Sequence, residues 1–211
     1  QKLNRFSNMC GVTMLFMRSL EAYEQDIFNQ PKFLNKFKTQ KPLSSKIQKN
    51  TIFTGSGDSL VSAMLAEVFS NYTVKSVDPL DLLKNKSILK NKTVYFVSIS
   101  GNTISNIKVA KMTTKSTAIT SQSKSKLANA CTKSIILKFP NSNIFTAGSI
   151  SFLESALTCI SLVKPFSISK DSRIFKKASS DAKKVTIGKR IFILGNMHTF
   201  PIAMYCAAKI Y

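Results

Sequence analysis

A repeated order of short apolar strand, small-residue turn and helix limits this chain of 211 residues to a small set of folds. The order is clearest where the apolar run Thr93-Val94-Tyr95-Phe96-Val97 is followed by the polar turn 98–103 and a helical segment. Similar units recur, with strands predicted at 51–54, 73–77, 93–97, 116–120 and 134–137 and helices at 60–69, 104–111, 124–130 and 148–163. This alternation predicts a parallel sheet covered by helices on both faces, an α/β fold.

The segments on either side of the alternation predict a three-part organisation. A helix is predicted over 14–28, and Pro31 is expected to end it or to redirect the chain. After a polar, helical bridge over 167–184, the order restarts with a strand at 190–194 and a helix at 200–211. One strand and one helix cannot bury a core, so they are interpreted as the opening of a second α/β unit. The predicted division is 1–45 for an N-terminal helical segment, 46–165 for the first α/β domain and 166–211 for the bridge and the start of the second.

The composition is strongly basic, with 31 Lys and Arg against 10 Asp and Glu and a net charge of +21. Such a balance ordinarily indicates nucleic-acid binding. Here arginine occurs only at 5, 18, 173 and 190, and the lysines are scattered through polar loops rather than clustered with aromatic residues. We therefore expect a solvated surface that attracts anionic ligands such as sugar phosphates, and nucleic-acid binding is kept as a less favoured alternative.

The cysteines and the apolar runs bear on location. Cys10, Cys131, Cys159 and Cys206 have neither disulfide-like nor zinc-like spacing, which predicts reduced thiols and no metal site. The longest apolar run, 9–17, is shorter than the roughly 20 residues that span a bilayer. The sequence therefore predicts a cytoplasmic protein that is neither exported nor bound to a membrane.

Two turns of the predicted sheet are rich in glycine and small hydroxyl residues. Thr54-Gly55-Ser56-Gly57-Asp58-Ser59 follows the first strand, and Ser98-Ile99-Ser100-Gly101-Asn102-Thr103 follows the third. Glycine lets the backbone approach a ligand, hydroxyl groups donate hydrogen bonds, and a helix N-terminus favours an anion, so a phosphate fits this arrangement. No lysine follows glycine at the spacing of a nucleoside-triphosphate loop. The alternative is that these residues only cap their helices.

The second turn resembles the Ser-x-Ser-Gly-x-Thr phosphate loop of the sugar isomerase (SIS) domain family. Gly55-Ser56-Gly57-Asp58-Ser59 is similar to the first-strand loop of that family. The segments 23–31 and 194–209 resemble sequences that flank its first domain and open its second, with the closest likeness to the isomerase domains of glucosamine-6-phosphate synthases and their archaeal relatives.

The resemblance implies a flavodoxin-like, three-layer αβα domain with a five-stranded parallel sheet, two SIS domains in pseudo-repeat, a homodimer and a hexose 6-phosphate ligand, with no cofactor or metal. Ser98, Ser100 and Thr103 would hold the phosphate with help from the backbone amides of Ile99 and Gly101. Other residues would contact the phosphate or the sugar, or close the sugar site: Gly57, Asp58, Ser59, Thr146 and Ser149.

The catalytic groups are less well matched. Asp58 replaces a threonine of the bacterial synthases, and Ile150 stands where those enzymes carry a lysine. The glutamate base of the family would directly follow Tyr211. His198, the only histidine, is a candidate acid or base for opening the sugar ring, or else a capping or surface residue. Tyr205 and Cys206 are interpreted as core residues.

Two functions of different class remain. The favoured one is aldose–ketose isomerisation of a hexose 6-phosphate, or deamination of an amino-sugar phosphate by the same enolisation chemistry, with this chain alone inactive because it lacks the base. The alternative is a non-catalytic sugar-phosphate sensor.

Overall fold

The strands form one parallel sheet in the computed structural model, which describes residues 3–140, 144, 147–169 and 172–210, with the side chains of 3–17 and 172 left aside. The strands are β1 (Thr51–Thr54), β2 (Lys75–Ser76), β3 (Thr93–Val97), β4 (Lys115–Thr120) and β5 (Lys133–Ile136). They pair in parallel in the order β2-β1-β3-β4-β5. The predicted five-stranded parallel sheet is therefore confirmed, with β2 shorter than its pattern suggested.

Helices cover both faces of the sheet. They are α1 (Leu3–Leu34), α2 (Ser45–Gln48), α3 (Asp58–Phe69), α4 (Pro79–Lys84), α5 (Ile104–Ala110), α6 (Lys126–Ala130), α7 (Ile150–Val163), α8 (Ser172–Ala182) and α9 (Phe200–Ile210). One core layer joins α3 and α7 to Phe53, Tyr95 and Ile119. The other joins α4, α5 and α6 to Ile52 and Phe96. Because successive side chains of a strand point to opposite faces, strands that are apolar throughout suit this three-layer arrangement.

The N-terminal helix is longer than predicted. It continues through Pro31 to Leu34, so the end predicted at Pro31 was wrong. Proline lacks the N–H group that would bond to the carbonyl one turn earlier, which removes a single hydrogen bond of the helix. Beyond it, Phe33 is only 5% exposed, and the Asn35 N–H donates to the Pro31 carbonyl at 3.2 Å. Burial of this last turn accounts for the continuation.

The C-terminal part has the predicted helices but lacks the predicted strand. The helices α8 and α9 correspond to the expected bridge and terminal helix, whereas 190–194 forms no strand. Phe192 and Leu194 are 82% and 90% exposed. No described strand pairs with this segment, so its backbone groups gain nothing from the extended form. The predicted domain boundaries and the second α/β unit stay predictions.

Helix α9 is instead anchored on the first domain. Its Tyr205 ring stacks on Phe152 of α7 with 3.8 Å between ring centroids, beside Val61 and Leu65 of α3. Among the described residues, no helix combines the length and apolar character needed to cross a membrane.

Candidate functional site

The two small-residue turns meet at the carboxyl edge of the sheet. β1 and β3 are neighbours, and the chain leaves them towards opposite edges, so the crevice between them is the switch point where parallel α/β sheets bind ligands. A cleft of about 740 Å³ opens there. From the predicted site residues, its lining includes Asp58, Ser59, Ser98, Ile99, Ser100 and Thr103.

The turn after β3 presents both buried and exposed hydroxyl groups. Ser98 is 2% exposed, and its hydroxyl lies 3.1 Å from that of Thr103. Ser100 is exposed, and its hydroxyl accepts a bond from the Asn102 N–H at 3.3 Å. The Gly101 N–H already donates to the Ser98 carbonyl at 3.1 Å, so this amide maintains the turn as built. The hydroxyl groups of Ser98, Ser100 and Thr103 are therefore donors that an anion in the cleft could meet.

Glycine at 101 is required by two independent constraints. Its φ of +63° lies in the left-handed region, and a Cβ there would overlap the hydroxyl of Ser125. The turn rests on the β4–α6 connection: Thr120 and Ser121 donate from their hydroxyl groups to the Ile99 carbonyl at 3.0 and 2.8 Å. The phosphate-loop candidate is thus held by its neighbour in the sheet.

The turn after β1 contributes the start of α3. Gly57 precedes the helix with φ +58°, and Asp58 is its first residue. A carboxylate at this position suits the positive end of a helix. Asp58 and Ser59 line the cleft together with Ser56, whereas Gly57 shapes the turn.

An ion pair between Asp58 and Lys209 crosses the cleft. The Lys209 ammonium donates to Asp58 Oδ2 at 2.6 Å and also to the Ala147 carbonyl. It lies 4.8 Å from the centroid of the Tyr205 ring, and the two ionic side chains are 18% and 32% exposed for Lys209 and Asp58. A cation is therefore fixed in the same cleft as the hydroxyl groups.

Tyr205 ties α9 to the rim of the cleft. Its hydroxyl donates to the Gly148 carbonyl at 2.8 Å. Burial raises the pKa of Tyr205 and, to a smaller degree, of Tyr23 on α1, so both remain neutral donors at ordinary pH. Gly148 has φ +68°, and a Cβ there would lie 3.4 Å from Asp58 Oδ2. This contact network orders the described end of the loop before α7.

Sequence reasoning missed part of the lining. Lys209 lies in the segment 194–209 that resembles the family, but no local pattern links it to Asp58, 151 residues away. Ser121 and Gln122 also line the cleft. They begin a third polar turn, Ser121-Gln122-Ser123, directly after β4, and that position was a usable signal.

Two predicted site residues whose side chains the structure describes, His198 and Ser149, do not line the cleft. His198 is exposed and packs edge-on against Phe69, with 5.0 Å between ring centroids, at the end of α3 opposite to Asp58. His198 therefore lies away from the cleft, because α9 runs back along α3, and its exposure agrees with the alternative of a surface residue. Ser149 is 4% exposed and lies behind the cleft, which Gly148, Ile150 and Ser151 line instead. Thr146 lies outside the described residues.

Comparisons with known proteins give no match in sequence but several in structure. No protein-family model and no curated protein matches the chain. The tagatose-6-phosphate ketose/aldose isomerase of Escherichia coli is similar with a TM-score of 0.64 and 18% identity, over 89% of this chain and 62% of that one. A candidate sugar-binding protein of Salmonella typhimurium is similar with a TM-score of 0.51 and 15% identity, over 77% of this chain and 55% of that one.

The C-terminal domain of the glucosamine-fructose-6-phosphate aminotransferase from Francisella tularensis is similar at 13% identity, over 77% of this chain and 52% of that one, with a TM-score of 0.49. The chain thus spans between half and two thirds of the length of these three structures. The chain has the fold of the phosphosugar isomerase (SIS) structures, as its two polar turns predicted.

Proposed function

We propose that this chain is a phosphosugar-binding module whose cleft between β1 and β3 takes a hexose 6-phosphate. The observation that carries the proposal is the convergence of Ser98, Ser100 and Thr103 with Lys209 in one cleft at the switch point of the sheet. Hydroxyl donors and a fixed cation are what a phosphate dianion requires. In this proposal Ile99, Asp58 and Ser59 complete the wall that the sugar would contact.

Lys209 distinguishes this cleft from a pair of ordinary capped helices. Capping would need the hydroxyl groups alone, yet the cleft is also lined by Lys209, whose side chain is 18% exposed. That ammonium is paired with Asp58, so an arriving phosphate would share it with the carboxylate. We propose that Asp58 sets the affinity for the anion by this competition.

The proposed chemistry is proton transfer between C1 and C2 of the open-chain sugar, which serves both aldose–ketose isomerisation and deamination of an amino-sugar phosphate. Anchoring the phosphate would position these carbons next to a carboxylate base. Asp58 is held by Lys209 and His198 lies elsewhere, so we propose neither as the base.

A sensor that binds sugar phosphate without catalysis is the second candidate. The Asp58–Lys209 pair suits it, since binding an anion needs the cation and requires no free base. A homodimer and a cytoplasmic location accompany both proposals as predictions.

Thermal unfolding with fructose 6-phosphate, glucosamine 6-phosphate, inorganic phosphate and a short DNA duplex tests the ligand class. A ligand that binds only the folded state raises the melting temperature. We expect a rise with the sugar phosphates that exceeds the rise with phosphate. A rise with DNA alone, lost steeply as salt increases, would replace this proposal by nucleic-acid binding.

Isothermal titration on variants tests the site. Ser100→Ala should weaken fructose 6-phosphate binding by about tenfold, since a hydrogen bond to a charged group is worth about 1.5–3 kcal/mol. The matched control is Ser87→Ala, an exposed serine outside the cleft, which should bind normally. Equal affinity in the two variants would remove Ser100 from the site.

A further inference from the structure

A second cavity, of about 930 Å³, lies beside the edge strand β5. It is lined by the end of α1, the linker after it, β5 and its continuation, and Glu154 and Thr158 of α7. It shares only Phe139 and Pro140 with the cleft described above. Its size is within the range of small-molecule sites.

A buried carboxylate without a full set of partners faces this cavity. Glu154 is 7% exposed, and its Oε1 accepts a bond from the Lys138 N–H at 2.7 Å. Its Oε2 is buried and has no hydrogen-bond partner among the described residues. An unpartnered buried polar atom costs free energy, so a donor that reached Oε2 would be favoured. Burial also raises the pKa of this carboxyl group.

The rest of the lining has two further properties. Four lysines, all exposed, place positive charge at the rim: Lys32, Lys36, Lys38 and Lys138. Aromatic rings form apolar walls, with Phe33 and Phe37 in edge contact at 5.9 Å and Phe139 on the opposite strand continuation. A fitting ligand carries an anion, a flat apolar ring and an N–H or O–H donor on that ring.

We propose that this cavity binds a purine nucleoside monophosphate of the guanine type, independently of the sugar-phosphate cleft. The base packs against the phenylalanine rings and donates an N–H to Glu154 Oε2, while the phosphate meets the rim lysines. Guanine presents two adjacent N–H donors on its pairing edge, whereas adenine presents an acceptor next to its donor. In its ionised form the carboxyl group only accepts, so that form pairs with guanine rather than with adenine.

Isothermal titration of the full chain with GMP, AMP and sodium phosphate tests the proposal. We expect GMP to bind at least tenfold more tightly than AMP, and inorganic phosphate to bind more weakly than either. Fructose 6-phosphate at saturation should leave GMP binding in place. Equal affinities for the three probes would show attraction to the lysines alone and overturn the site, as would the absence of GMP binding.

Variants distinguish recognition by the Glu154 carboxylate from general attraction to the rim lysines. Glu154→Gln should weaken GMP binding at least tenfold and abolish the preference for GMP over AMP. Ser100→Ala, in the other cleft, should leave the GMP affinity and this preference unchanged. Circular dichroism checks that Glu154→Gln is folded; if it is not, Phe37→Ala provides the second arm and should weaken GMP without altering phosphate binding. Unchanged GMP affinity in the folded variant would refute the inference.

Discussion

Two apolar segments of similar composition have different structures in this protein. Thr93-Val94-Tyr95-Phe96-Val97 is strand β3, paired with β1 on one side and β4 on the other. Arg190-Ile191-Phe192-Ile193-Leu194 pairs with no described strand. Phe96 is fully buried, whereas Phe192 is 82% exposed.

The difference shows that strand formation here depends on neighbours rather than on local preference. An isolated extended segment has no partner for its backbone N–H and C=O groups and no surface that buries its side chains. β3 obtains both because two strands and two helix layers adjoin it. The residues that follow 190–194 contact the sheet domain through His198, which packs on Phe69, and through Tyr205 and Lys209 of α9.

Truncation of one phenylalanine in each segment gives the largest expected contrast. Phe96→Ala should lower the free energy of unfolding by about 3–5 kcal/mol, because it leaves a cavity in the core. Phe192→Ala, the matched change, should alter it by less than about 0.5 kcal/mol. Urea unfolding followed by circular dichroism measures both. Similar losses in the two variants would show that 190–194 belongs to a packed core.

A glycine in each region provides the next contrast. Gly101→Ala should cost about 2 kcal/mol, since it combines a left-handed φ with overlap onto Ser125. Gly188→Ala places its Cβ no closer than 3.9 Å to another atom and should be nearly neutral. The same unfolding assay applies, and fructose 6-phosphate binding should be weakened by Gly101→Ala only. Retained affinity in that variant would mean that the turn geometry is not needed for binding.

The ion pair between Asp58 and Lys209, which joins the two regions, should contribute a smaller but measurable coupling free energy. A double-mutant cycle with Asp58→Asn and Lys209→Met is expected to give a coupling free energy of about 1 kcal/mol, because both side chains are partly buried. The control cycle uses Lys177 and Asp181 on α8, whose side chains are 78% and 48% exposed, and should give a smaller coupling because solvent screens this pair. If the first cycle gives no coupling, α9 is not held at the cleft by the Asp58–Lys209 pair.

The smallest effect concerns pH. Burial raises the folded-state pKa of Glu154 above its ordinary value of 4.5, so its contribution to stability is present below that value and is lost as pH rises through the raised pKa. Glu154→Gln should therefore reduce the loss of stability as pH rises from about 4.5 through the raised pKa.

The pKa of Asp181, in the C-terminal region, is shifted in the opposite direction. Hydrogen bonds from Lys177 and Lys184 lower its pKa, so its contribution is lost as pH falls through the lowered pKa. Asp181→Asn should alter only the acidic side of the profile. Melting temperatures from pH 3 to 8 on the two variants compare these directions, and a Glu154→Gln profile that matches the wild type would contradict the effect of burial.

Local patterns were sufficient for the sheet and for the two turns. The alternation of strand and helix identified β1, β3, β4 and β5, and small residues after β1 and β3 located Ser59, Ser98 and Ser100 in the cleft. Parallel strands bring such turns to one edge without further information. The polar turn after β4 could have been included by the same argument.

Long-range packing was outside the reach of those patterns. Nothing local indicated that α9 would run back along α3, which places Lys209 beside Asp58 and removes His198 from the cleft. Nor could periodicity show that Glu154 would be buried with one unpartnered oxygen.

The sequence by itself determined the parallel α/β architecture and the polar character of its carboxyl edge, because hydrophobic periodicity and turn chemistry act within a few residues. Only the tertiary structure places Lys209 at the cleft, leaves 190–194 without a described partner strand and forms the cavity beside β5. These depend on which distant surfaces meet, and that is settled by burial summed over the whole chain.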